Sequence, residues 1–289
     1  SDSKKKLTIY TLLAAFSVGL YSYAWSGWWH IFDFLMIATV GYLIYHIVAR
    51  RSELKNITKF IKSKAVVNTI IVLVLFVVGS GIFVTFFTNY PTFVGGFYSP
   101  AGFTQIKAVG IVSAWPNVFT TVAEQNTVDI GGIIGQLGGR LLILIAMLGI
   151  TLTLWSKKNP PWQEGGFLVA SGVVYLVTLN YFLHDRTTFI LGLGIPIALK
   201  FLWAMWKRDE SIDVKYSIIL SLWLFATIYA STKGIRWILL AASPFAIAVG
   251  LALGYFFHKS LVYMQKEFKI HKAITGVIFA IILLLLIGI

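Results

Sequence analysis

The sequence predicts an all-α, polytopic transmembrane helical bundle, and three observations carry that prediction. The chain is 58% hydrophobic and only 12% charged, where a folded soluble domain carries about 25% charge. Its apolar residues gather in runs that approach the ~20 residues a helix needs to cross ~30 Å of hydrocarbon. Its basic residues, which give a net charge of +13, sort to one side once those runs are taken as alternating spans. The charge is therefore a topology signal and does not point to nucleic acid. Composition excludes a water-soluble globule, and a chain without cysteine has no disulfide and no thiolate metal site.

Taken in order, residues 1–6 form a short basic lead, followed by apolar runs at 7–23 and 29–49. The turn between them, Ala24-Trp25-Ser26-Gly27-Trp28-Trp29, puts Gly where the backbone reverses and Trp where amphipathic rings settle at the membrane–water boundary. A basic segment at 50–64 leads to a third run at 65–87. Further runs at 140–155, 166–182, 188–206, 216–230, 237–257 and 274–289 bring the expected spans to nine. Pro160-Pro161 fits a tight turn, whereas Pro196 and Pro244 fall inside spans, where proline kinks a helix. With a cytoplasmic N-terminus, 18 of the 24 Lys and Arg fall in cytoplasmic segments. Lys107, Arg140, Arg186, Lys233 and Arg236 fall on the other face, and Lys200 lies within a span.

Residues 89–139 are the one long stretch that is not apolar, and they read as a loop without a regular element of its own. Such loops in compact proteins are usually functional. This one carries Trp115-Pro116-Asn117 and then Thr121-Val122-Ala123-Glu124, on the face away from the cytoplasm. Chemistry is expected near Glu124, against the plainer reading of a solvated loop carboxylate. The chain starts at Ser1 and stops inside an apolar run at Ile289. It is thus expected to be an internal fragment of a longer protein.

Besides Glu124, the informative charges on that outer face are Asp129, Asp185, Arg186, Lys233 and Arg236. A cation that opens an apolar span is expensive against lipid and usually turns to a cavity or partner. Arg236 is such a cation, and its planar guanidinium matches phosphate oxygens; the alternative reading is interfacial snorkelling. Trp25, Trp28 and Trp29 read as interfacial anchors, and His30 as an interfacial histidine.

The order of these features resembles the catalytic subunit of oligosaccharyltransferase, most closely the archaeal single-subunit enzymes of the GT-C glycosyltransferase class. The resemblance rests on the Trp-Ser-Gly turn, the outer loop with Trp115-Pro116-Asn117 and Thr121-Val122-Ala123-Glu124, and Lys233-Gly234-Ile235-Arg236-Trp237 opening a span before Ala242-Ser243-Pro244. It implies a GT-C-type bundle that transfers an oligosaccharide from a dolichol phosphate or pyrophosphate donor to the Asn side chain of Asn-x-Ser/Thr in an acceptor polypeptide. The family's Thr-Ile-x-Glu motif is met by Thr121 to Glu124 with Val122 for Ile. The match gives the acceptor site to Thr121, Val122, Ala123 and Glu124, and the catalytic and metal-ligand roles to Glu124, with Mn²⁺ or Mg²⁺ as cofactor. An Arg opening a late span binds the donor phosphate in that family. Arg236 fits that position, and Arg186, which also opens a run from the outer face, is the second candidate. In that family an Asp-x-Asp-type motif lies in the first external loops and a Trp-Trp-Asp-Tyr-Gly motif in a soluble domain after the last span. Neither occurs in this chain. The resemblance therefore implies that residues 1–289 are the later part of a multi-span membrane domain, with upstream spans and a downstream soluble domain outside it, and that the chain by itself is inactive. The rival readings are another polyprenyl-phosphate-dependent GT-C glycosyltransferase and, from a different class, a multi-span transporter gated by the long loop.

Overall fold

Every apolar run of the sequence forms a helix. The computed structural model describes residues 2–51, 63–105, 127–209, 211–212 and 214–287. Its helices are α1 (Asp2–Ala24), α2 (Trp29–Ala49), α3 (Lys64–Phe87), α4 (Tyr90–Gln105), α5 (Ile130–Gln136) and α6 (Arg140–Leu152). They continue with α7 (Pro161–Tyr181), α8 (Arg186–Lys207), α9 (Val214–Ser231), a 3₁₀ turn (Ile235–Trp237), α10 (Ile238–Phe268) and α11 (Lys272–Ile287). Pro196 and Pro244 lie inside α8 and α10, as expected.

Helices stand at all nine expected spans, and they differ in length and hydropathy. Among the described residues six helices are long and apolar enough to cross a membrane: α1, α2, α3, α8, α9 and α10. A seventh is obtained if α5 and α6, bent by 84° at their junction, form one broken span. The bend falls at Gly138 and Gly139, whose φ angles of +90° and +91° are open to glycine and strained for other residues. Of the remaining runs, α7 opens on Trp162-Gln163-Glu164 and carries Asn180, which lowers its hydropathy, and α11 has only 16 residues.

The element-free loop is corrected, because α4 and α5 lie within it. Asn89 caps α4, its Oδ1 accepting from the Thr92 amide at 2.8 Å and the Thr92 hydroxyl at 2.9 Å. Pro91 sits in the first turn, where a missing N–H costs nothing. Gly95-Gly96 speaks against a helix locally, but packing overrides propensity: a Cβ on Gly96 would meet the Trp28 ring at 2.8 Å. Phe93 and Phe97 close on Phe32 at 5.9 and 5.2 Å between ring centroids. Asp129 caps α5 by accepting from the Gly132 amide at 2.9 Å.

Two cores result. Ala15, Val18, Trp28, Phe32, Phe76 and Val84 hold α1 to α4 together, and a larger cluster joins α2 to α5 through α10. Without a hydrophobic drive between helices in lipid, close approach depends on small residues. Gly79 meets Ala15 in the α1–α3 pair, where an added Cβ would lie 3.0 Å away. At the α6–α10 crossing the fit is tighter, since a Cβ on Gly149 would stand 1.9 Å from the Ala248 carbonyl oxygen. Gly149→Ala must push two backbones apart and is expected to destabilise the protein by about 1–3 kcal/mol. Gly172→Ala, whose Cβ meets only Leu148 at 3.7 Å, is the neutral control. Thermal unfolding in detergent reads both, and equal melting of the two variants contradicts the crossing.

The helices alternate between two ends of the bundle. One end gathers Trp25 against Trp237, Arg140 donating to Asn180 at 2.9 Å, and Arg186 beside Tyr229. The other gathers the Tyr45 hydroxyl donating to the Asp209 carbonyl at 3.0 Å, Ser156 donating to the Asp209 carboxylate, and Trp155 against Tyr255. The Asp209 carboxyl is buried, which raises its pKa, but hydrogen bonds from Ser156 and Ser211 and the Lys158 charge at 3.8 Å hold it below the usual carboxylate range.

Candidate functional site

The first of these ends holds the candidate site, and it is assembled from helix termini. At the start of α8, Asp185 accepts from the Thr188 hydroxyl, the Thr188 amide at 2.9 Å and the Thr187 amide at 3.3 Å. These bonds, that of the Thr188 hydroxyl foremost, keep its carboxyl below the ordinary carboxylate range, and a negative charge suits a helix N-terminus. The cap fixes where the next residue stands. Arg186 is exposed, with its guanidinium 5.5 Å from the centre of the Tyr229 ring.

From the neighbouring element, α9 unwinds through Ser231-Thr232-Lys233-Gly234, held by Lys233 N–H to Ala230 O at 2.9 Å and Gly234 N–H to Ser231 O at 3.3 Å. This unwinding brings Lys233 to 6.0 Å from the same Tyr229 ring. Two cations therefore flank one aromatic ring, each within cation–π range. Ion pairs among the described residues are Lys158–Asp209, Lys200–Glu164 and Lys266–Glu267. Arg186 and Lys233 take part in none of these three, and the Arg186 charge helps to lower the pKa of the neighbouring Asp185 carboxyl.

The 3₁₀ turn that follows carries Arg236 and sets Trp237 6.0 Å from Trp25. Trp25 in turn meets Tyr21 at 5.7 Å and His30 at 5.3 Å, and the His30 Nδ1–H donates to the Gly27 carbonyl. The Trp-Ser-Gly turn is thus part of the same cluster. Reading its tryptophans as interfacial anchors needs correction at Trp28, which is 2% exposed and packs on Phe32.

Other charges of this end have structural work. Asp129 caps α5, and Arg140 ties α6 to α7 through Asn180. The arrangement places Arg186 with Tyr229 and Lys233, a grouping no sequence spacing indicates, since it spans α8 and the end of α9. Thr121, Val122, Ala123 and Glu124 lie outside the described residues, and Arg236 is described by its backbone. No group of three His, Cys, Asp or Glu able to hold a metal ion occurs among the described residues. These residues do not by themselves fit Mn²⁺ or Mg²⁺.

Far from this site, Lys200 in α8 is not solitary. Its ammonium donates to the Glu164 carboxylate at 2.6 Å, with the two side chains 6% and 3% exposed. Asn159 donates to the same oxygen at 2.5 Å, and the rings of Phe167 and Trp203 lie 5.0 and 4.6 Å from the ammonium. An ionisable residue within a span needs a partner, and that rule is the signal by which Glu164 is found.

Fold and site together define a polytopic helical membrane protein with a cluster of cations and aromatic rings at one end of its bundle. All 289 residues match the family model described as oligosaccharyl transferase STT3, N-terminal, and the chain belongs to that family. Similar curated proteins include the dolichyl-phosphooligosaccharide-protein glycotransferases of Methanococcus voltae, 26% identical over 88% of this chain, and of Methanocaldococcus jannaschii, 27% identical over 85%. The chain spans 24% and 21% of the length of these two relatives. No solved structure matches it.

Proposed function

We propose that the full-length protein transfers an oligosaccharide from a dolichol-linked phosphate or pyrophosphate donor to the Asn side chain of Asn-x-Ser/Thr sequences. Membership of the oligosaccharyl transferase family and the names of the two relatives support the reading. The observation on this chain that carries it is the pair of cations, Arg186 and Lys233, around Tyr229 beside the turn bearing Arg236. A departing lipid phosphate concentrates negative charge, and positioned cations in a partly water-excluded site stabilise that charge as it develops.

In this reading Thr121, Val122, Ala123 and Glu124 meet the acceptor. The Glu124 carboxylate accepts the N–H bonds of the Asn amide, whose nitrogen is otherwise a poor nucleophile because its lone pair is delocalised into the carbonyl. Arg236 takes the donor phosphate, with Arg186 as the second candidate. Glu124 is also the proposed ligand of Mn²⁺ or Mg²⁺. The segregation of basic residues in the sequence supports a site facing away from the cytoplasm, and the chain is proposed as one part of a longer membrane domain.

Membranes containing the full-length protein, given a lipid-linked glycan extract and a fluorescent Asn-x-Thr peptide, are expected to form glycopeptide, with a chelator arm reading the metal requirement. Absence of product with the donor shown to be present overturns the proposal. Arg236→Ala is expected to raise the donor concentration needed for half-maximal rate about tenfold or more and to leave the peptide dependence unchanged. If Arg186→Ala has that effect and Arg236→Ala does not, the phosphate belongs to the start of α8.

A further inference from the structure

Trp25 directly follows α1, at the end of the bundle that holds the cation pair, and its indole meets three other rings. Tyr21 and His30 lie 5.7 and 5.3 Å away between ring centroids, and Trp237 lies 6.0 Å away at 49°. Tyr21 packs against the first core and Ile235 against the second. The Trp25–Trp237 contact thus ties the surroundings of one core to those of the other at this end.

The Trp25 ring rests directly on Gly27. A Cβ added there would stand 2.4 Å from Trp25 Cη2 and 2.5 Å from Cζ2, closer than real atoms approach. The backbone does not ask for glycine at this position, because among the described residues the glycines with positive φ are Gly138 and Gly139. What glycine supplies at 27 is room for the ring. The turn beneath it is fixed by the Trp28 N–H, which donates to the Trp25 carbonyl at 3.2 Å, and by the His30 Nδ1–H, which donates to the Gly27 carbonyl.

Across the contact, the 3₁₀ turn has three residues, with Arg236 in the middle, and is closed by the Trp237 N–H donating to the Gly234 carbonyl at 3.1 Å. So short an element takes its position from what its side chains pack on. Trp237, the residue after Arg236, packs on Trp25. Movement of that ring displaces the Cα from which the Arg236 side chain leaves, and displacements of about 1 Å are enough to weaken a positioned contact. We infer that Trp25, seated on Gly27, is a positioning residue for the lipid-linked donor: through Trp237 it holds the turn that carries Arg236. The inference rests on the donor-phosphate role proposed for Arg236.

Donor titrations of the full-length protein at saturating peptide, and peptide titrations at saturating donor, test it. Trp25→Ala and Gly27→Ala, the latter by pushing the ring off its seat, are each expected to raise the donor concentration for half-maximal rate about three- to tenfold, the worth of one aromatic pair. Both are expected to leave the peptide dependence unchanged. Trp25→Phe, which keeps a ring, is expected to recover most of the loss. In an Arg236→Ala background Trp25→Ala is expected to add nothing, because it acts through Arg236. Partial loss of folded protein lowers the maximal rate and shifts neither concentration. Hydrogen exchange of the 232–238 amides without substrate reads the support of the turn apart from activity, and is expected to quicken in Trp25→Ala and Gly27→Ala. Unchanged exchange, an unshifted donor dependence in both variants, or a full Trp25→Ala shift in the Arg236→Ala background overturns the inference. Wild-type donor dependence in Arg236→Ala overturns the role given to Arg236 and the donor part of the inference with it, while the exchange rates still decide whether Trp25 holds the turn.

Discussion

Glu124→Gln in the full-length protein is expected to lower glycopeptide turnover by about 10²-fold or more, with donor binding changed by less than a few-fold. The proposed role of the carboxylate explains the size. Glutamine keeps the shape of the side chain but offers one acceptor oxygen without charge, so it does not draw the amide N–H bonds strongly enough to free the nitrogen lone pair. Removing one positioned electrostatic contact from a transition state costs about 10²–10³ in rate. Single-turnover glycopeptide formation with saturating donor separates this from weaker binding. Turnover equal to wild type refutes the role given to Glu124 and leaves the fold untouched.

The second large effect is expected far from the chemistry, at the Lys200–Glu164 pair. Both side chains are almost fully buried, and the ammonium and carboxylate meet at 2.6 Å. Glu164→Leu alone strands an ammonium between Phe167 and Trp203, and Lys200→Met alone strands a carboxylate held only by Asn159. Each single change is expected to cost roughly 3–5 kcal/mol, because an uncompensated buried charge remains. The double variant removes both charges and is expected to recover most of the loss. A double-mutant cycle on thermal unfolding in detergent measures the coupling, and single variants that melt with wild type show that the pair contributes nothing.

The pair also marks what sequence reading reaches. Lys200 stands out in the sequence as a cation inside an apolar run, whereas nothing local distinguishes Glu164 among the polar residues after Pro160-Pro161. The pairing joins residues on two helices and is settled by how α7 and α8 cross. The same holds for Arg186 and Lys233, each visible in the sequence as a cation at a helix boundary but meeting only through the Tyr229 ring. Helices α4 and α5 are hidden from a local reading for a related reason. Gly95-Gly96 and Gly131-Gly132 weigh against a helix locally, and the compensation comes from Trp28 and Phe32 packing on α4 and from the side-chain caps of Asn89 and Asp129.

What the sequence determined by itself was the class of the molecule and the alternation of its helices. Both follow from composition and the placement of charge, because a bilayer imposes span length on each apolar run separately. The roles proposed for Thr121 to Glu124 and Arg236 rest on order along the chain and likeness to a family. The tertiary structure decided where the chain bends at Gly138 and Gly139 and which charges are spoken for by a cap or a partner. Those are properties of pairs of elements, set by close packing at contacts such as Gly149 on Ala248. A local pattern carries no information about a neighbour many residues away.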